Sequence, residues 1–107
     1  MTNASNIVVE SPVNGISRIK LNEPGTYNAL SSKTLKSLIN IFKRLNNENK
    51  TKVIIIEGSG KGFSAGHDLK EIRSLKNKKK EYKKLFNLCS KLMLEIVEGR
   101  KPVIAKV

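Results

Sequence analysis

Lys52-Val53-Ile54-Ile55-Ile56-Glu57, followed at once by Gly58-Ser59-Gly60-Lys61-Gly62, is the stretch that decides the fold. A run of β-branched residues with no polar alternation describes a strand covered on both faces, the usual setting of a parallel sheet. The glycines then turn the chain out of the strand. Upstream, Leu35, Leu38, Ile39, Phe42 and Leu45 recur at helical spacing and form one apolar stripe. Ser31 or Ser32 can cap that helix, which is expected to run to about Leu45 and to stop at Asn46-Asn47-Glu48-Asn49. A helix feeding a strand of this kind points to an α/β fold.

Towards the N-terminus, Ile7-Val8-Val9-Glu10 is a strand candidate, Pro12-Val13-Asn14-Gly15 a turn, and Ile16 to Leu21 the second arm of a hairpin. Asn22-Glu23-Pro24-Gly25 breaks that arm. Towards the C-terminus, Phe63 to Gly66 leads into a helical turn capped by Asp68, with Leu69 and Ile72 inward. A longer helix is expected from about Lys78 to Glu98. It carries Tyr82, Leu85, Phe86, Cys89, Leu92, Met93 and Ile96 at helical spacing, with Gly99 as the residue just past its end. After Pro102, Val103-Ile104-Ala105-Lys106-Val107 reads as another apolar strand with nothing beyond it to cover both faces. Residues 1–107 are therefore expected to be the N-terminal part of a single, larger domain.

A chain of 107 residues suffices for one small domain. With 38% hydrophobic residues and a mean hydropathy of -0.34, no apolar run is long enough for a membrane helix. Residues 1–6 carry no basic-then-apolar leader, so the expected location is the cytoplasm. One cysteine, Cys89, excludes an internal disulfide, and a single histidine, His67, offers no metal-ligand cluster. Lys+Arg is 21 against Asp+Glu at 9, a net +12 that favours anionic partners. Lys76, Lys78, Lys79, Lys80, Lys83 and Lys84 form one block, read first as a solvated helix face. The alternative is a small basic nucleic-acid-binding module built on Lys76 to Lys84. With 5% aromatic residues and no Trp, that block lacks the interleaved rings of single-strand binders. Gly58 to Gly62 is not a Walker loop, because Ile55 stands where its first Gly belongs and Gly62 where its Ser or Thr belongs.

Three segments in register carry a resemblance. Asn28-Ala29-Leu30-Ser31 precedes the first helix, and Phe63-Ser64-Ala65-Gly66-His67-Asp68-Leu69-Lys70-Glu71 follows the central strand. Lys101-Pro102-Val103-Ile104-Ala105-Lys106-Val107 then begins another strand. In this order they resemble the enoyl-CoA hydratase/isomerase (crotonase) superfamily from about Ile7 to Val107, matching the N-terminal portion of a family member. The wording of the middle segment, with Cys89-Ser90-Lys91 in the next helix, is most similar to the family's enoyl-CoA hydratase domain-containing protein 3 branch.

The resemblance implies a crotonase-like spiral of β-β-α units, present as its truncated N-terminal portion, that binds acyl-coenzyme A thioesters. It implies that the main-chain N–H of His67 is one donor of an oxyanion hole, where preorganised amides stabilise an enolate-like oxygen. It further implies that the Ala65 carbonyl accepts from the adenine, that Gly66 allows close approach, and that Ala29 and Leu30 line the nucleotide end. Lys70 then stands near the pantetheine or phosphates, with Asp68 and Leu69 beside it in the binding loop. The second oxyanion donor and the catalytic glutamates of hydratases lie beyond Val107. Many relatives carry basic residues where this chain has Gly25-Thr26-Tyr27. Lyase or isomerase activity is thus expected only of a longer chain. No cofactor is implied other than coenzyme A as part of the substrate, and the expected assembly is a trimer or a pair of trimers, with no membrane or nucleic-acid partner.

Overall fold

The computed structural model describes residues 2–4, 6–66, 68–75 and 78–107. Strands β1 (Thr2–Ala4), β2 (Ile7–Val13) and β3 (Ile16–Leu21) form an antiparallel meander. A single 3-10 turn, Pro24–Thr26, leads to helix α1 (Ser32–Asn46) and strand β4 (Val53–Gly58). Helices α2 (Leu69–Ser74) and α3 (Lys79–Glu98) then precede strand β5 (Val103–Lys106). Strand order in the five-stranded sheet follows chain order, β1-β2-β3-β4-β5, and β4 is parallel to both β3 and β5. The α/β reading and the hairpin hold. Asn14 (φ 54°) and Gly15 (φ 82°) are both left-handed, as a two-residue hairpin turn requires. Pro12 sits where the β2–β3 register shifts, so its missing N–H breaks no regular ladder bond.

Ser31, not Ser32, caps α1, its hydroxyl accepting from the Thr34 N–H at 3.2 Å. The apolar stripe of α1 lies on Ile7, Val9, Ile19, Leu21, Ile54 and Ile56 of the sheet, with Leu85 and Leu92 of α3 closing the core. Within it the Ser17 and Thr51 hydroxyls bond each other at 2.7 Å. The Lys101 ammonium donates to the Glu48 and Thr51 carbonyls at 2.8 and 2.5 Å, pinning the start of β5 to the loop after α1.

The structure adds four details to these expectations. In β4, Ile54 and Ile56 are buried, whereas Val53 and Ile55, on the opposite face, are half-buried within residues 1–107. Both long helices pack on the Ile54 side. On the other side the Glu57 carboxylate lies between Arg18 (4.0 Å) and Lys106 (3.8 Å), so polar groups share that face. On α3, Phe86 and Met93 are 53% and 47% exposed and flank the buried line, while Leu88, unremarked in the sequence, packs on the core. Gly99 ends α3 with an extended backbone (φ -64°, ψ 155°) rather than a left-handed one. Glycine is needed there because a Cβ would lie 2.5 Å from the Glu95 carbonyl and 2.6 Å from the Asn46 amide. Finally β1, Thr-Asn-Ala, carries no large apolar residue for hydrophobic patterning to detect. Ile104 and Val107 are exposed, in line with an apolar last strand that lacks cover.

Candidate functional site

Two loops meet at the carboxyl ends of the parallel strands β3 and β4, where ligands of open α/β sheets bind. One runs from Asn22 to Ser31, the other from Ser59 to Asp68. The Ser59 N–H still bonds the Leu21 carbonyl at 2.8 Å, carrying the strand pairing into the loops.

Asn28 joins them. It is 2% exposed and left-handed (φ 55°), a conformation asparagine tolerates better than most residues. Its amide nitrogen faces the carbonyls of Ser59, Gly62 and Phe63 at 3.0, 3.1 and 3.1 Å, and its oxygen accepts from the Glu23 N–H at 2.7 Å. Two amide hydrogens thus serve three acceptors, one of them shared. The fit excludes any side chain at Gly58, whose Cβ would lie 2.3 Å from the Phe63 oxygen and 2.8 Å from the Asn28 nitrogen.

Beyond the clamp the two segments run side by side. The Ala65 N–H donates to the Tyr27 carbonyl (2.8 Å), the Leu30 N–H to that of Gly66 (2.6 Å), and the Asp68 N–H to that of Leu30 (3.0 Å). The Ser64 hydroxyl donates to the Asn28 carbonyl at 2.8 Å and accepts from the Gly66 N–H at 3.1 Å. Gly66 has φ +86°, which a side chain would strain. Asp68 caps α2, its carboxylate accepting from the Lys70 and Glu71 N–H groups at 3.0 and 3.4 Å. Glu71 reaches back across the chain: its carboxylate accepts from the Ser32 N–H at 3.1 Å and from the Ser32 hydroxyl, tying α2 to the first turn of α1.

Of the residues singled out from the sequence, Ala29, Leu30, Ala65, Gly66 and Asp68 come together in these paired segments. Lys70 is exposed on the first turn of α2. His67 and the side chain of Leu69 lie outside the described residues, as does Lys76 of the lysine block. The remaining lysines of that block, on and just before α3, are exposed, as a solvated face would have them. Asn28, Gly58, Ser64 and Glu71 complete the arrangement and were not among the expected site residues. Only the Asn-Ala-Leu-Ser and Phe63-to-Glu71 wording pointed near them. Among the described residues no group of His, Cys, Asp and Glu could hold a metal ion, and no helix is long and apolar enough to cross a membrane. What the loops offer a ligand is main-chain polarity at a glycine turn, with the neighbouring carboxylates already engaged in capping.

A paired-loop site at the ends of parallel strands, on this order of elements, defines the class: the chain belongs to the enoyl-CoA hydratase/isomerase family, whose model matches residues 12–107. The fold is that of the crotonase superfamily. The crystal structure of enoyl-CoA hydratase from Mycobacterium smegmatis superposes with a TM-score of 0.91 at 36% identity, over 97% of this chain and 40% of its own. That of human enoyl-CoA hydratase domain-containing protein 3 gives 0.86 at 37% identity, over 95% and 40%. In sequence, the human protein named "Enoyl-CoA hydratase domain-containing protein 3, mitochondrial" is 41% identical over 95 residues, 89% of this chain and 31% of the relative. The zebrafish (Danio rerio) protein of the same name is 40% identical over 105 residues, 97% and 36%. The chain therefore spans about a third of the length of the curated relatives it matches.

Proposed function

We propose that this chain carries the thioester-binding loops of a protein that binds acyl-coenzyme A and stabilises negative charge on the thioester carbonyl oxygen. The observation that carries the reading is the pairing of residues 27–30 with residues 65–68, clamped by Asn28, at the carboxyl ends of β3 and β4. The N–H groups of Ala65 and Gly66 are already bonded within the loop pair. In this reading the donor to the thioester oxygen is the next one along, the main-chain N–H of His67, assigned from its position directly after Gly66. A donor fixed by its neighbours needs no reorganisation as charge develops, which is where such groups gain their effect.

Ala65 is an exposed residue; its carbonyl accepts from the adenine amino group in this reading, Gly66 lets the ligand approach, and Ala29 and Leu30 line the nucleotide end. Lys70 stands near the pantetheine or the phosphates, with Asp68 and Leu69 beside it in the binding loop. The net charge of +12 supports a phosphate-rich ligand. The enoyl-CoA hydratase of Mycobacterium smegmatis among the similar structures supports the substrate class. Coenzyme A enters and leaves as part of the substrate, so no resident cofactor is invoked. Lyase or isomerase chemistry and an assembly into a trimer or a pair of trimers belong to the same reading of the full-length protein.

The test is difference infrared spectroscopy of crotonyl-CoA bound to the full-length protein. Binding should lower the carbonyl stretch. His67→Ala keeps the N–H and should keep the shift, whereas His67→Pro deletes the N–H and should reduce it to what the second donor alone provides. If catalysis passes through an enolate, the loss should be roughly 10²–10³ in rate. Folding of the Pro variant is checked first by circular dichroism, because Pro also restricts the residue before it. A shift lost equally in His67→Ala would assign the work to the imidazole and overturn the main-chain reading.

A further inference from the structure

The three helices meet at a second place, away from the paired loops. Helix α2 spans only six residues, so it crosses the N-terminal end of the seam between α1 and α3 without filling it. The cavity left there measures about 360 Å³, at the lower end of the range of small-molecule sites. Leu75, at the end of α2, and Leu85 and Leu88 of α3 give it an apolar floor. Leu85 is buried, and the other two pack partly buried against the core, so the floor is fixed by the fold. The described residues of the paired loops take no part in the lining.

The charges around that floor resolve to one. Both oxygens of Glu71 are turned to the N–H of Ser32, and one also takes the Ser32 hydroxyl. Glu81 pairs with Lys84 at 3.5 Å along α3. That leaves Lys36, exposed on α1, with which no carboxylate among the described residues forms an ion pair. We propose that this three-helix cavity binds a small amphiphilic monocarboxylate, its apolar body on Leu75, Leu85 and Leu88 and its carboxylate at Lys36. Apolar chain and leucines leave water together, the aliphatic stem of Lys36 lies along the ligand, and the ammonium meets the one negative charge. A cationic ligand would face Lys36 with both neighbouring carboxylates already engaged. The site is separate from the thioester loops and does not depend on the reading given for them.

The experiment is calorimetry on the full-length protein at neutral pH with hexanoate, octanoate and decanoate, and with decyltrimethylammonium as the cation of matching chain. Carboxylate binding should saturate at a single site and tighten about twofold to fourfold per methylene, fourfold corresponding to full burial of each. Decyltrimethylammonium should bind at least about tenfold more weakly than decanoate. Lys36→Glu reverses the charge of an exposed residue and should weaken decanoate about tenfold, whereas Lys36→Arg keeps the charge and should stay within about threefold of the parent. Leu75→Trp fills the cavity from the end of α2 and should remove binding, its folding checked by circular dichroism. The Lys36 pair, on the helix surface, tests the site without touching the core. Absence of saturable decanoate binding, equal affinity in Lys36→Glu, or equal binding of decyltrimethylammonium would overturn the proposal. Binding that survives in a folded Leu75→Trp would overturn it as well, by placing the ligand elsewhere.

Discussion

Asn28→Ala removes an amide that reaches three main-chain carbonyls and holds the Glu23 N–H. At 2% exposure, water does not take its place without parting the loops. Two net hydrogen bonds at about 1 kcal/mol each, plus one buried carbonyl left bare at about 1–3 kcal/mol, give roughly 3–5 kcal/mol. For a domain of this size that corresponds to a fall in melting temperature of roughly 12–30 °C. Asn28→Asp is sharper, because the shape is kept while an oxygen is turned on the carbonyls of Ser59, Gly62 and Phe63. The ionised form is repelled there, so in the folded state the introduced carboxyl titrates above its ordinary value of about 3.9. A group raised in this way favours folding below its unfolded value, and that benefit is lost as pH rises through the folded one. The melting-temperature gap to the parent, followed by circular dichroism, should therefore be smallest below about pH 4 and widen towards pH 7. A gap that does not change with pH, or an Asn28→Ala midpoint within about 2 °C of the parent, would refute the clamp.

Gly58→Ala should cost about 1–3 kcal/mol in urea unfolding, since its Cβ meets the Phe63 oxygen at 2.3 Å. Glu71→Ala frees α2 from α1, and hydrogen exchange of the 69–74 amides should rise about tenfold, with Glu71→Gln restoring most of the protection. Exchange that rises equally in α1 would count against a local tie. Lys101→Met keeps the aliphatic stem but leaves the Glu48 and Thr51 carbonyls without their donor, an expected loss of about 1–3 kcal/mol by the same unfolding assay. Phe42→Ala, at a fully buried site, should cost about 3–5 kcal/mol and serves as the upper reference.

Helix α1 was legible to within a residue because a single apolar stripe and a serine cap specify the same element. The central strand was legible as a strand, and the half-burial of Val53 and Ile55 matches a β-branched run whose second face lacks cover within residues 1–107. β-branched residues report that a strand is favourable, not how many layers cover it. Phe86 and Met93 misled for a related reason. They share helical spacing with Leu85 and Leu92, and only the position of α1 decides which flank is inside. Asp68 was read correctly as a cap because its partners are two and three residues away. Asn28 was not read as a clamp, because its acceptors are main-chain carbonyls 31 to 35 residues distant. No side-chain pattern announces where a carbonyl points. His67, the residue on which the family wording bears most, is outside the described residues, and the role proposed for it is assigned from its place directly after Gly66.

The coincidence of strand order with chain order has a bearing on how the molecule is made. Each strand from β2 to β5 joins the edge laid down by the one before it, and none has to be threaded between two already paired. A polypeptide leaving the ribosome at about 5–20 residues per second could therefore assemble its sheet in the order of its synthesis. The local hairpin would form first, and each parallel pairing would wait only for its own crossover helix. At every stage the edge that awaits the next strand is the newest one, nearest the exit tunnel, while β1 stands at the opposite edge.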